Sequence, residues 1–124
     1  MATKEVEVRS PATTYVHGSG DLSANATPRQ FMKVTGDDEF APQTDPTGVA
    51  AGVLLYSGVK GAKAAIAFGG GNDIWISEID GSPTPGDEIT SDADGFPTKY
   101  VASGVKRGLI LNGDADSGFE VKLY

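Results

Sequence analysis

The segment GVAAGVLL at residues 48–55 returns 56 residues later as GVKRGLIL at residues 104–111. At the same spacing, Phe40 corresponds to Phe96. In each copy a glycine opens a short apolar run of the length that β-strands have. The match predicts that the chain repeats one β unit, and chance similarity in a sequence rich in glycine and aspartate is the alternative.

Other short segments share this β character. The run IWISEI at residues 74–79 is rich in β-branched and aromatic residues, and FEVKLY at residues 119–124 ends the chain as another strand. Seventeen glycines and seven prolines favour short elements joined by tight turns. The only segments with helical character, at 46–51 and 101–106, are one turn long. We therefore predict a mainly β fold, a small β-barrel or β-sandwich, with at most one-turn helices.

The repeat also suggests how the chain is divided. We predict a flexible N-terminal arm at residues 1–28 and a single β domain at residues 29–124. Within the domain, the two units cover about 29–68 and 84–124, and a strand segment at 69–83 links them.

The N-terminal segment differs from the rest of the chain. The sequence KEVEVR at residues 4–9 alternates polar and apolar residues, and turn-forming residues follow it up to Pro28. A short strand between flexible linkers cannot bury its own apolar face. It is therefore expected to be disordered alone and to become ordered on a partner, with a frayed terminus as the alternative.

The composition restricts the classes of function open to the chain. With 17 acidic and 10 basic residues among 124, the net charge of −7 argues against binding nucleic acid or an anionic membrane. The absence of cysteine excludes disulfides, thiolate catalysis and cysteine-based zinc sites. No apolar stretch has the length of a signal-peptide core or a transmembrane helix, so we expect neither.

Two acidic motifs, DADG at residues 92–95 and NGDADSG at residues 112–118, raise the question of a calcium site or a catalytic pair. An EF-hand loop needs a glutamate at its twelfth position, where the first motif has Ser103. Aspartate and glycine also favour tight turns, because they tolerate positive φ and cap their own backbone. His17, the only histidine, lies beside glycine-rich turns, a poor place for a catalytic base. We therefore predict turns, with a weak cation site as the alternative, and no catalytic group, metal or cofactor.

Trp75 lies between Ile74 and Ile76 in the most apolar strand. Alternation along a strand places the two isoleucines on one face and the tryptophan on the other. One face must fill the core, and the other is either a second core layer or an exposed apolar patch. The segment Ile74, Trp75 and Ile76 is therefore predicted to form either core or an oligomer interface.

The second unit, GDEITSDADGFPTKYVASGVKRGLILNGDADSGFEVKLY at residues 86–124, resembles the C-terminal part of tailed-phage capsid cement proteins. The shared pattern is G-D-x-[IV]-T, an acidic turn, G-V-x-x-G-[LI], and a glycine-containing loop before a final alternating strand. The segment PTGVAAGVL at residues 46–54 is similar to the G-x-A-x-G-[IV]-L segment of lambda-like head decoration proteins.

This resemblance implies a small β-rich homotrimer without enzymatic activity, made in the host bacterial cytoplasm and bound to the outer surface of the expanded capsid. Its partner would be the major capsid protein, whose adjacent subunits it would clamp together. The N-terminal arm would add a strand to a loop of that protein. The residues implied in capsid binding are Lys4, Glu5, Val6, Glu7, Val8, Arg9, Tyr15 and Val16.

Two other classes of function remain open. A ligand-binding β module, carbohydrate-binding or adhesin-like, would use Trp75 and the four tyrosines as a sugar platform. Such modules usually present several aromatic rings on one face. An enzyme would need a convergent constellation of polar groups, and the sequence offers only scattered turn carboxylates.

Overall fold

A computed structural model describes residues 5–9 and 17–124, which form eleven β-strands and no helix. The strands are β1 (Val6–Val8), β2 (His17–Leu22), β3 (Phe31–Gly36), β4 (Glu39–Pro42), β5 (Gly52–Leu54), β6 (Lys63–Phe68), β7 (Asp73–Ile76), β8 (Glu88–Ser91), β9 (Pro97–Lys99), β10 (Gly108–Asp114) and β11 (Gly118–Leu123). The predicted mainly β fold is confirmed. The segments at 46–51 and 101–106 form turns and bends instead of helical turns. The described residues therefore contain no helix that could cross a membrane.

The strands are arranged in two sheets. Strands β2 to β6 close into a barrel with the order β2-β4-β3-β5-β6. The remaining six strands form a sheet with the order β1-β7-β11-β10-β8-β9. Neighbouring strands are antiparallel, except that β2 and β4 run parallel.

Both sheets repeat one topology. In each unit the second and third strands pair, the fourth pairs with the second, the fifth with the fourth, and the first with the fifth. The first unit consists of β2 to β6 and the second of β7 to β11. The units therefore begin at His17 and Asp73, one strand earlier than the predicted starts at 29 and 84, and their starts are separated by the same 56 residues as the glycine segments. The segment at 69–83 is not only a link, because it supplies the first strand of the second unit.

The repeated glycine before each apolar run has the same role in both units. Gly52 begins β5 opposite Met32 of β3, and Gly108 begins β10 opposite Ile89 of β8. A Cβ atom at Gly52 would clash with the backbone of β6, and one at Gly108 would lie 2.9 Å from a side chain of β11. Glycine is therefore needed where the fourth strand lies close against the fifth.

The two units differ in how their sheets close. In the first unit β2 lies parallel to β4, with Asp21 opposite Glu39 and Leu22 opposite Phe40, and this pairing completes the barrel. In the second unit the corresponding contact is a single parallel bridge between Asp80 and Thr98. Strand β1 occupies the adjacent part of the β7 edge. The second unit is thus an incompletely closed version of the first, extended by one strand.

The predicted arm at 1–28 does not stand apart from the two sheets in the described residues. Val6 is 5% exposed and packs in the core, so the short strand buries its apolar side on β7 of its own chain. Glu5 accepts a hydrogen bond from Arg29 Nε at 3.1 Å, and Arg29 also lies 4.9 Å from the centroid of Phe96. Strand β2 belongs to the barrel. Lys4, Tyr15 and Val16 lie outside the described residues.

Two clusters of buried side chains form the core. Side chains along β3, β5 and β6 alternate between the two faces of the barrel wall, so each of these strands contributes to both clusters. The barrel interior contains Leu22, Ala26, Met32, Phe40, Leu54, Ala64 and Ile66. The second cluster joins the outward-facing barrel residues Phe31, Val53 and Ala67 to Val6, Ile74, Ile76, Ile79, Ile89, Ile110, Phe119, Val121 and Leu123. The second cluster therefore contains residues of both units, and this shared core fixes the position of one unit relative to the other.

Candidate binding surfaces

Arg107 connects the two units where their glycine segments meet. Its side chain donates from Nε to Ser91 Oγ at 2.9 Å and from Nη2 to the carbonyl oxygen of Gly48 at 2.8 Å, with two longer contacts to neighbouring carbonyls. The guanidinium also lies over the ring of Phe31, 5.5 Å from its centroid. Burial lowers the pKa of Arg107, but a guanidinium remains protonated at neutral pH. Arg107 therefore holds the loop at residues 45–48 against the second unit.

An apolar recess of about 180 Å³ opens beside Arg107 at this junction. Its lining includes Val49, Val105 and Tyr124, whose exposed fractions are 84%, 41% and 51%. Val49 and Val105 occupy equivalent positions in the two glycine segments. Exposed apolar side chains grouped around a recess are typical of a contact surface.

Charged and hydroxyl groups flank this recess on one side. The hydroxyl of Tyr124 donates to Glu88 Oε2 at 2.6 Å, and Lys106 Nζ lies 3.0 Å from Glu88 Oε1. Both contacts lower the pKa of Glu88, and the hydrogen bond from Tyr124 has the larger effect. The hydrogen bond with Glu88 raises the pKa of Tyr124 and of Lys106 in turn. The C-terminal tyrosine is therefore fixed at the rim with its ring beside the apolar recess.

The acidic motifs form turns, as predicted. Asp92 Oδ1 accepts hydrogen bonds from the backbone N–H groups of Asp94 and Phe96 at 2.9 and 3.0 Å. Asp114 Oδ1 accepts from the backbone N–H and hydroxyl of Ser117 at 2.8 and 2.9 Å, and the bonds from Ser117 hold the pKa of Asp114 below its usual value. In the described ranges, no three Asp, Glu or His side chains are grouped as metal ligands would be.

The predicted alternation around Trp75 is confirmed. Ile74 and Ile76 are fully buried in the core, and Trp75 lies half-buried on the opposite face of the sheet. The two isoleucines are buried inside their own chain, so in this segment Trp75 has the surface that a partner chain could contact. The oligomer interface stays a prediction.

Strand β1 is one of the two edge strands of the six-stranded sheet in the described part of the chain. The carbonyl of Glu5 accepts from Ser77, and the N–H of Arg9 donates to Asp73. Because hydrogen-bonded and non-bonded pairs alternate in an antiparallel ladder, the backbone groups of Val6 and Val8 are directed away from β7. This edge can therefore accept a further strand.

Comparison with known proteins shows the class of fold. No protein-family model and no curated protein matches the chain. The fold is similar to a solved structure, the N base of the head fiber gp8.5 of bacteriophage phi29, with a TM-score of 0.64 and 17% sequence identity. The likeness covers 88% of this chain and 93% of the phage chain. The two chains therefore share a fold over almost their entire length.

Proposed function

We propose that this chain is a structural protein of a tailed-phage virion, bound to the outer surface of the head. The likeness to the base of a phage head fiber over 88% of the chain carries this proposal. The sequence patterns shared with capsid cement proteins also support this function, and they are independent of the likeness in fold. In this proposal the chain is not an enzyme, and its partner is the major capsid protein.

Strand β1 is the proposed point of contact with the capsid. Its outer edge offers the N–H and C=O groups of Val6 and Val8, and strand addition uses such groups without requiring a special side-chain sequence. The oppositely charged side chains of Glu7 and Arg9 flank this edge. Arg9 Nη2 lies 3.3 Å from Glu7 Oε2. A loop of the major capsid protein would pair beside β1 and extend the sheet.

The apolar recess at the junction of the units is the proposed contact between copies of the chain. Val49, Val105 and Tyr124 expose apolar surface there, and association of three chains would remove it from water. A trimer with three β1 edges would contact adjacent capsid subunits together and clamp them. Binding of each edge would then reinforce the others through a raised effective concentration. Light scattering tests this step: a mass of three chains is expected, and a monomer would contradict it.

A substitution at the β1 edge tests the capsid contact. Val8→Pro removes the N–H group directed away from β7, while the bonds of Glu5 and Arg9 to β7 remain. Co-sedimentation would use expanded heads assembled from the major capsid protein that the same genome encodes. We expect Val8→Pro to weaken head binding about tenfold or more, because a strand bond is lost and the proline ring obstructs pairing.

Val8→Ala is the matched control, since it shortens the same side chain but keeps the N–H group. Circular dichroism must show that both variants are folded. Equal binding of Val8→Pro and Val8→Ala would rule out strand addition at β1. Failure of the unmodified chain to bind these heads would contradict the proposed function itself.

A further inference from the structure

Trp75 lies on the outer face of the six-stranded sheet with its Nε1 edge toward the turn between β10 and β11. A Cβ atom built at Gly118 would be 2.5 to 2.6 Å from the ring atoms Nε1, Cε2 and Cζ2, so this edge of the ring lies against the glycine. Its Nε1 donates to the carbonyl oxygen of Ser117 at 3.0 Å. The ring is therefore held in one orientation before any ligand binds, and it lines a recess on this side of the sheet.

Polar side chains of two neighbouring strands lie beside this ring on the same face. Trp75 of β7 is opposite Glu120 of β11, and Glu120 is opposite Asn112 of β10. Residues directly opposite in neighbouring strands point to the same side of a sheet. Together with Arg9, these three side chains line a shallow recess of about 180 Å³.

The recess offers both kinds of hydrogen-bonding group. Asn112 Oδ1 accepts from the N–H of Gly113 at 2.9 Å, and its amide NH₂ group provides two donors. The Glu120 carboxylate is an acceptor, and no protein donor within the described ranges is bonded to it. Arg9 contributes a guanidinium that is also paired with Glu7 at 3.3 Å. Donors and acceptors thus line the same recess as a fixed aromatic ring.

We propose that this recess binds a neutral hexopyranose unit of a polysaccharide. The C–H face of a pyranose ring is apolar and packs on an aromatic ring, while its hydroxyl groups both donate and accept hydrogen bonds. One arginine among the carboxylates of Glu7 and Glu120 disfavours an anionic sugar. A nucleotide base would also stack on the ring, but its phosphate would meet a chain of net charge −7. The recess is smaller than a typical pocket for a whole ligand, and so would hold one sugar unit of a longer chain.

This site uses side chains on the outer face of the sheet, whereas the proposed capsid contact uses the backbone edge of β1, and the two share only Arg9. A chain that binds heads through β1 can present this face to a host surface polysaccharide. The two proposals can therefore fail separately.

The only tryptophan of the chain is at this site, so intrinsic fluorescence reports on it selectively. The probes are maltohexaose, mannohexaose and chitohexaose, each titrated to about 10 mM to detect dissociation constants near 1 mM. We expect a saturable change in Trp75 emission with at least one of them. Glu120→Gln and Asn112→Ala, which keep the tryptophan, are expected to weaken binding about fivefold or more.

Tyr56→Ala is the control, because it removes an exposed aromatic side chain of the first unit and leaves this recess intact. It is expected to bind with unchanged affinity. Absence of saturation with all three oligosaccharides would overturn the proposal. Saturation that is equal in Glu120→Gln, Asn112→Ala and the unmodified chain would overturn the assignment to this recess.

Discussion

Replacing Arg107 by methionine, Arg107→Met, tests the link between the two units. The arginine side chain is 6% exposed and donates to Ser91 Oγ at 2.9 Å and to the carbonyl of Gly48 at 2.8 Å. Methionine fills a similar volume without any donor. The substitution therefore removes both bonds and leaves the buried Ser91 hydroxyl and the part-buried Gly48 carbonyl without this partner.

The size of the effect follows from these contacts. Two hydrogen bonds from a charged donor contribute about 3 to 6 kcal/mol together, and burial of a methionine side chain recovers about 1.5 to 3 kcal/mol. We expect a net loss of about 2 to 3 kcal/mol in the free energy of unfolding. In a domain of this size, that loss lowers the melting temperature by about 10 °C.

Urea unfolding followed by circular dichroism measures this loss, provided that the slope with denaturant is unchanged. Lys106→Met is the control, because it removes an adjacent positive charge that is exposed to solvent. It is expected to unfold close to the unmodified chain. If Arg107→Met unfolds at the same urea concentration as Lys106→Met, Arg107 does not hold the two units together.

Three further predictions concern turns and close contacts. Gly52→Ala forces a Cβ atom against the backbone of β6 and should lower the free energy of unfolding by about 1 to 3 kcal/mol in urea titrations. Gly118→Ala places an alanine at a φ of 84° and forces its Cβ atom against Trp75. Both the urea midpoint and the tryptophan emission maximum should therefore shift. An unshifted emission maximum would contradict the described position of the ring. The pKa of Asp114 is held below 3.8 by bonds from Ser117, so its stabilising contribution is present above pH 3.8 and is lost as pH falls through the lowered pKa. Thermal melting should therefore show Asp114→Ala less stable than the unmodified chain at pH 7, with the difference narrowing below pH 3.8.

Local patterns in the sequence predicted the parts of the fold that depend on neighbouring residues. The glycine before each apolar run marked the start of a strand, and the two copies at Gly52 and Gly108 revealed the repeated unit. Alternation around Trp75 gave the faces of β7. The aspartates at 92 and 114 marked turns because their side chains bond to backbone groups only two to four residues away.

Features that depend on distant residues left no such pattern. The segment HGSGDL of β2 has no apolar alternation, and it forms a strand because β4 and β6 pair with it on both sides. The burial of Val6 depends on β7, and the position of Arg107 depends on carbonyls 59 to 62 residues earlier in the chain. The recess at Trp75 needs Gly118 and Asn112 from the β10–β11 hairpin, whose register only the folded sheet defines.

Electron cryo-microscopy of expanded heads mixed with this protein tests the proposed function most directly. We expect density for the chain on the outer surface of the head, with a strand of the major capsid protein paired to the open edge of β1. Three copies should meet through the surface that carries Val49, Val105 and Tyr124. Heads without added density would contradict the proposed function, and density in which β1 is turned away from the capsid would contradict strand addition at β1.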